Sequence, residues 1–486
     1  MRKFQNNIKL ILIYFLILLS APLSSIANDN TNLNFTQLYT SQKLRVDGSK
    51  ECNVHNSTLA TSDNTNLNFS EVYTEIIDAE INNSIEKIAR PILNASGVKN
   101  VRIHILVDKQ PNAFTTYGGD IYISSGLIAT FSDPNVIRGV IAHELGHIKS
   151  GHLLQLQNKI MNNNGILAST ILLGAAAAAI TGSTDILYNQ IGVGMHTYER
   201  SILKFSRENE LVADASASRI LQKAGYDDSG LLHILNYLDS RQNFSDVSRY
   251  DRTHPICPER INMLKSLSSV KSSRSDERSL QKDSASRDED TSFAYKMSSA
   301  KLGAFGEGAA RESLDQDYLK YASICMSQKK HDIQAATRQI DELIKKYPKY
   351  PFFLQKKAEL LLSAGSKDAI IYYERAASLT NSQIIKIELA IAKIILLSEK
   401  SEIDSSISML EMNKERFGNN KLLLNYLSLA YDKKGDNATS LYYRALSEYY
   451  YGKKANAKKI ANAAKMQANN NKSLNAKIKD IINEDI

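Results

Sequence analysis

The stretch IAHELGHIKSGH, residues 141–152, sets His143 and His147 four residues apart with Glu144 between them. On a helix that spacing stacks both imidazoles on one face, one turn apart, where they can share an ion. Glu144 lies about 100° further round, near the open side of that ion. This H-E-x-x-H arrangement is the pattern of zinc hydrolases, with the glutamate as general base. Two imidazoles do not complete such a site, because hydrolytic zinc takes three protein ligands and keeps a fourth position for water. His152 is the nearest further histidine. Nine residues beyond His143, it falls about 180° around a continuing helix, so it is expected as a polar-face residue. A better third ligand lies in SRENELVADASASRIL, residues 206–221, where Glu210 and Asp214 are again four apart. Leu211, Ala215, Ser218 and the Ile220–Leu221 pair pattern this stretch as an amphipathic helix. Glu210 can reach the ion while Asp214 accepts the second N–H of a ligating histidine and fixes its tautomer. The same spacing also suits an exposed acidic face.

Several elements must position these groups. EIIDAEINNSIEKIARPIL repeats Ile76, Ile77, Ile81, Ile85, Ile88 and Ile92 at helical spacing. VRIHILVD (101–108) alternates as a strand does, and NAFTTYGGDIYISSGLI (112–128) holds a Gly118-Gly119 turn signal and a second strand in DIYIS. Asp133-Pro134 opens a long helix through Val140, Ala142, Leu145 and Ile148, which carries the histidine pair. Asn112, Ala113 and Phe114, with the Asp120–Ser124 strand, offer an edge for backbone pairing with an extended peptide, although an internal strand fits equally well. GILASTILLGAAAAAI (165–180) is uncharged. As a helix it spans about 24 Å, short of the ~30 Å bilayer core. It is expected as a buried or site-covering helix, with peripheral membrane contact as the next reading.

The chain has 486 residues, enough for several domains. Arg2, Lys3 and Lys9, an apolar run from Leu10 to Leu19, and small residues Ser25 and Ala27 predict an export signal, residues 1–27, cleaved after Ala27. No cysteine follows the apolar run closely, which argues against a lipid anchor. The formal net charge of +8 is mild, and no basic run with interleaved aromatics indicates nucleic acid. Cys52, Cys257 and Cys325 are an odd set, so one bridge with a free thiol and three buried thiols stay open. Residues 28–68 are polar and expected to be mostly disordered. DNTNLNFTQLYT (29–40) recurs as DNTNLNFSEVYT (63–74), either a local duplication or a docking motif used twice. A compact domain over 69–264 is followed by a linker or exposed loop and a connecting helix over 265–311, opening with the Ser-rich, mixed-charge run 265–292. Residues 312–486 read as helices, with breaks at 328–332, 363–368, 398–402 and 432–436 and a further turn at Gly452. Helix pairs every 34 residues or so are the tetratricopeptide spacing, and such units stack into a solenoid with a concave groove. A generic helical bundle is the alternative.

HELGH, ENELVAD (208–214) and THPICPERI (253–261), with NAF and GGDIYISSGLI upstream, resemble the CAAX-prenyl-protease and HtpX-type zinc metallopeptidases. With the export signal and the helical repeats, the resemblance is nearest to the periplasmic β-barrel assembly-enhancing protease group. It covers about residues 70–265 well and the repeats loosely. It implies a mainly helical α+β, gluzincin-like metallopeptidase domain with a small β-sheet, followed by an all-α tetratricopeptide-type solenoid. One zinc ion per chain is then held by His143, His147 and Glu210, with Glu144 as catalytic base and Asp214 behind a ligand. The resemblance also implies that His254 is a latch, capping zinc at rest and lifting for substrate. The residues alone leave an oxyanion partner or a plain structural histidine equally open. Arg260 either orders that loop or is a surface charge, and Cys257 is expected as a neutral buried thiol rather than a ligand. The implied clients are unfolded or misassembled outer-membrane β-barrel proteins, with the barrel-assembly machinery as partner of the repeats, in a periplasmic protein that is soluble or peripherally membrane-associated. Two rivals to an exported zinc endopeptidase are a chaperone or scaffold whose proteolysis is secondary, and a structural metal domain. The second leaves the acidity of Glu144 without a reason.

Overall fold

A computed structural model describes residues 42–46, 71–116, 119–152, 207–240, 254, 256–272, 282–304, 315–329, 332–414, 420–469 and 471–483. The expected export signal, the first copy of the duplicated motif, Cys52 and the apolar run 165–180 lie outside the described residues.

Among the described residues five strands form one sheet in the order β1-β2-β3-β5-β4: β1 Gln42–Val46, β2 Glu71–Glu75, β3 Ile103–Leu106, β4 Ala113–Thr115 and β5 Ile121–Ser124. Strands β3 and β5 are parallel and the other pairs antiparallel. Gly119, at φ 78°, turns the chain between β4 and β5 in a conformation few other residues adopt. Of the two segments expected at an edge, only the first is there. Among the described residues strand β4 ends the sheet, whereas β5 is internal, with all four residues buried. A run buried on both faces is what an internal strand needs. The segment 28–68 departs from expectation at β1, where Leu44 and Val46 alternate with Lys43 and Arg45 and the strand pairs with β2. Strand β2 takes Glu71–Thr74 from the second motif copy.

Helix α1 (Ala79–Ser96) is capped by the Asp78 carboxylate on Ile81 N and stops at Gly97, φ 72°. Ser124 caps α2 (Ser125–Thr130), and Asp133 caps α3 (Pro134–Lys149), whose Pro134 occupies the first turn, where its missing N–H costs nothing. Helix α4 spans 207–224, followed by α5 (Ser229–Asp239) and α6 (Pro258–Ser272). The core joins Ile81, Ile85, Ile88 and Ile92 of α1 to Ile105, Ile121 and Ile123 of the sheet and Ile137, Val140, Ile141 and Leu145 of α3. Full burial of each such side chain contributes about 1.5–3 kcal/mol. Helix α3 packs on α1, α5 and β4.

The run 265–292 is not a loop where it is described: 265–272 continue α6 and 282–292 open α7 (Lys282–Gly303). Its serines and charges hide a helix held by its other half. Ala294, Tyr295, Met297 and Ala300 are buried, the helix packs on α1, α2 and α3, and Arg138 pairs with Asp288. Among the described residues ten helices follow, each packed on the next: α8 Gln316–Lys329, α9 Ile333–Lys346, α10 Pro351–Ser363, α11 Asp368–Leu379, α12 Gln383–Leu396, α13 Lys400–Asn413, α14 Lys421–Lys434, α15 Asn437–Tyr450, α16 Lys454–Gln467 and α17 Lys472–Asn483. Gly365, Gly435 and Gly452, all at positive φ, fall between helices as expected. The expected break at 398–402 ends early, since α13 begins at Lys400. Among the described residues no helix is long and apolar enough to cross a membrane.

Candidate metal centre

Helix α3 supplies His143, Glu144 and His147, α4 supplies Glu210 and Asp214, and His254 stands four residues before α6. All six side chains are buried. One donor atom from each of His143, His147, Glu210 and His254 lies within 4.8 Å of the others. The nearest pairs are tighter. His143 Nε2 is 3.0 Å from His147 Nε2, 3.1 Å from Glu210 Oε2 and 3.3 Å from His254 Nδ1. Glu210 Oε1 is 3.2 Å from both His147 Nε2 and His254 Nδ1. Donors about 2.0–2.1 Å from a tetrahedral ion are about 3.3–3.4 Å apart. The observed separations come close to those edges, so the donors are aimed at one point.

The electrostatics fit a cation there. Burial alone would pull His143 down, but the Glu210 and Asp214 carboxylates overcome it and push its pKa to about 10. Burial would raise Glu210, but His254 and His143 hold it well below the usual carboxylate range. Asp214 is lowered in the same way, against burial, chiefly by Arg260. Both Glu144 oxygens are buried without a hydrogen-bond partner. A carboxylate desolvated in this way needs a cation or a donor close by. Imidazole nitrogen with one carboxylate suits zinc among the divalent ions.

Residues 76–268 match peptidase family M48. This segment is an M48 metalloprotease domain. The β-barrel assembly-enhancing protease of Yersinia pestis is 25% identical over 186 residues, 35% of this chain and 35% of that protein. Metalloprotease LoiP of Escherichia coli is 26% identical over 188 residues, 39% of this chain and 71% of that protein. Mitochondrial metalloendopeptidase OMA1 of Schizosaccharomyces pombe is 22% identical over 183 residues, 37% of this chain and 51% of that protein. The chain thus spans about a third of the Yersinia protein and half of OMA1.

The M48 site has a second layer of contacts that orients the donors. His143 Nδ1 is 2.8 Å from Asp214 Oδ1, leaving Nε2 to face the ion position. Arg260 is fully buried rather than a surface charge. It donates to Asp214 from Nε (2.6 Å) and Nη2 (2.9 Å), pairs with Glu210 Oε2 at 2.9 Å and reaches the His254 carbonyl at 3.5 Å. One guanidinium thus ties α6 to both acids of α4. His254 Nε2 lies 3.4 Å from Glu144 Oε1.

His152 is the correction among the histidines. It is not one of the converging donors, but neither is it exposed: it is buried with Nδ1 3.0 Å from His147 Nδ1. Helix α3 ends at Lys149 and Gly151 takes φ 64°, so the chain leaves the helical path before His152. The rotation expected over nine helical residues no longer applies. A glycine just past the last helical turn is a stop signal readable in the sequence. Burial, and then His147, lowers His152 to about 4, so it stays neutral; with His147 Nε2 among the converging donors, a proton on His147 Nδ1 would point at His152 Nδ1. Burial likewise lowers His147. Cys257 and Cys325 are free thiols, and neither joins the donor group. Asn112 and Ala113 are buried and Phe114 half-buried, with β4 lying against α3.

Proposed function

We propose that this chain is an exported zinc endopeptidase for misfolded or misassembled envelope proteins, latched at rest by His254. The observation that carries the reading is the convergence of four donors beside the buried Glu144 carboxylate, which accepts no hydrogen bond. His143, His147 and Glu210 would hold the ion. Zinc, when bound, would polarise a scissile carbonyl and acidify a water. Glu144 would take the proton of the attacking water on a carboxylate oxygen and pass it to the leaving amine. Asp214, His152 and Arg260 would keep the three ligands in register. Strand β4, through Asn112, Ala113 and Phe114, would pair with the backbone of an extended substrate, a mode that tolerates many sequences.

His254 Nδ1 is 3.3 Å from His143 Nε2 and its Nε2 is 3.4 Å from Glu144 Oε1, so one ring would take the fourth position, exclude water and cover the base together. An oxyanion partner would stand back from the donor group, which favours the latch. Arg260 would tether the base of the latch to the acids it closes over. The names of the Yersinia and related proteins support β-barrel proteins as clients, the export signal expected over residues 1–27 supports the periplasm, and the paired helices support a tetratricopeptide-type surface for the barrel-assembly machinery. The run 165–180 would supply any peripheral membrane contact.

Metal analysis of the processed protein, with digestion of an unfolded client by wild type and Glu144→Gln, tests the reading. Stoichiometric zinc and cleavage lost in Glu144→Gln support it; cleavage that survives in Glu144→Gln refutes it. His254→Ala should cleave faster at unchanged zinc content, whereas a metal-loaded but inactive variant would refute the latch. The closed fourth position also favours a second reading, a client-binding scaffold that seldom cuts. Envelope assembly undiminished in Glu144→Gln would favour that one.

A further inference from the structure

The net charge of this chain is small but unevenly placed. Residues 453–483, which hold α16 and α17, contain eight lysines, no arginine and one acid, Asp480. They carry a net +7 in 31 residues, out of +8 for the whole chain. The eight preceding helices are close to balance: residues 315–452 hold 20 Lys and Arg against 17 Asp and Glu. A lysine-rich composition alone would load both stretches alike.

Packing turns these charges outward. Helix α16 packs on α15 and α17 and buries Ala457, Ala461 and Ala464, while α17 buries Leu474, Ile478 and Ile481. Lys459 and Met466, seven residues apart, share a line about 180° from those alanines. Lys472 and Lys479, also seven apart, share one side of α17. Lys453, Lys459, Lys465, Lys472, Lys477 and Lys479 are all exposed. Met466 is 86% exposed, more than any other large apolar side chain among the described residues. Tyr451, in the turn before α16, is 50% exposed, with Lys421 Nζ 3.7 Å from its ring centroid.

We propose that α16 and α17 dock on an anionic membrane leaflet. Three features choose lipid over other polyanions. The cations are all lysine, whereas the planar fork of arginine is what fixed carboxylates and nucleic-acid phosphates favour, and lysine is depleted where two proteins meet. A lysine is a point charge on a flexible apolar stem, suited to headgroups that hold no fixed positions. Met466 and Tyr451 add one apolar and one interfacial side chain to the same stretch, which a bilayer surface takes up. The charge also runs from Lys453 to Lys479 along two helices, matching an extended surface rather than a single ligand. Each lysine close to an anionic leaflet strengthens binding about fivefold, so three in contact together give roughly a hundredfold. The run 165–180 is uncharged, so a contact there is apolar; this one is electrostatic, and it does not depend on the peptidase reading.

The test titrates the whole processed protein, by co-sedimentation, with vesicles of phosphatidylcholine alone or mixed equally with phosphatidylglycerol. The mixed vesicles should bind roughly a hundredfold tighter at low salt and lose that advantage at high salt. Lys459→Gln, Lys465→Gln, Lys472→Gln, Lys477→Gln and Lys479→Gln combined should abolish the difference. Lys87→Gln, Lys345→Gln, Lys349→Gln, Lys367→Gln and Lys400→Gln combined remove equal charge from exposed sites elsewhere and should keep it. The chain has no tryptophan, so Met466→Trp reports from one place, and its emission should shift to the blue on mixed vesicles. Equal binding to both kinds of vesicle overturns the proposal. So does a difference that survives in the first fivefold variant or, should that variant misfold, in Lys459→Gln with Lys472→Gln and Lys479→Gln; the membrane contact would then lie elsewhere. Binding of Met466→Trp without a blue shift overturns it too. Polyglutamate bound as tightly as the mixed vesicles would assign the face to an acidic polypeptide instead.

Discussion

Gly146 lies where α3 crosses α4, and an alanine there should cost metal affinity more than stability. A Cβ at Gly146 would sit 2.6 Å from the Ala213 carbonyl oxygen and 3.0 Å from its Cα. Comfortable contacts begin near 3.5 Å, so the helices must part by roughly 1 Å. Metal ligands tolerate about 0.2 Å. Ala213 precedes Asp214 and is within one turn of Glu210, so the retreat of α4 draws Glu210 away from imidazoles now 3.1 and 3.2 Å distant. Overpacking costs about 1–3 kcal/mol, and the better helix propensity of alanine returns up to ~1 kcal/mol, so the stability loss is about 0–2 kcal/mol. Zinc affinity should fall at least tenfold, as it does when groups supporting ligands are disturbed. Gly139→Ala is the control. Its Cβ would lie 2.7 Å from Leu231 N, an equal clash two turns earlier, but against α5, which carries none of the four donors. Chelator competition with zinc, and thermal unfolding of the metal-free chains, separate the two effects. If Gly146→Ala binds zinc as tightly as wild type, or Gly139→Ala loses as much affinity, the metal site does not depend on this crossing.

Three further outcomes are expected. His152→Ala should weaken zinc binding by roughly 10–100-fold without unfolding the domain, because His147 loses the acceptor that orients it; calorimetry should show partial recovery in His152→Gln. Arg260→Met strands two buried carboxylates and should lower stability by about 3–5 kcal/mol, read in denaturant unfolding of the metal-free chain, whereas an unchanged transition would mean that the Arg260 contacts carry no weight. Glu388→Gln should stabilise the protein at neutral pH. Burial, and then the Glu359 carboxylate, pushes Glu388 well above the ordinary 4.5. A raised acid contributes its full stability below the unfolded pKa and loses it as pH climbs towards the folded one. The variant escapes that loss, so its advantage should open above about pH 5 and close below about pH 4. Parallel stability curves across that range would refute this.

The donor pairs were legible because each is a local pattern: four-residue spacing on a helix states which side chains share a face, whatever the helix packs on. The same rule fails for His152, which lies three residues beyond the end of α3, past the helix stop at Gly151. The internal place of β5 was not legible, since IYIS reads alike at an edge and in the middle, and strand order is set by contacts distant in sequence. Helix α7 was hidden for a similar reason. Its serines and charges carry no periodicity in 282–292, and the residues that hold it, Tyr295 and Lys301, act through partners distant in sequence, between α2 and α3 and at the N-cap of α1. Tyr295 donates to Phe131 O at 2.7 Å, and Lys301 pairs with Asp78 at 2.7 Å.

That last contact bears on whether the helical array is an appended module. Asp78 caps the first turn of α1 in the M48 domain, and Glu80 in the same turn accepts hydrogen bonds from Tyr321 of α8 (2.7 Å) and from Tyr350, ahead of α10 (2.8 Å). Lys301 of α7 serves both acids, and against the pull of burial they hold it charged, its pKa well above the ordinary value. Pulling the array away would leave buried acids without these partners, at a cost of several kcal/mol. The same α7 packs on α3, the helix bearing His143, Glu144 and His147, and receives Asp288 on Arg138. The array is therefore built into the M48 domain through α1 and α7, and a force applied to its first helices meets the helix that carries His143, Glu144 and His147 through one intervening element.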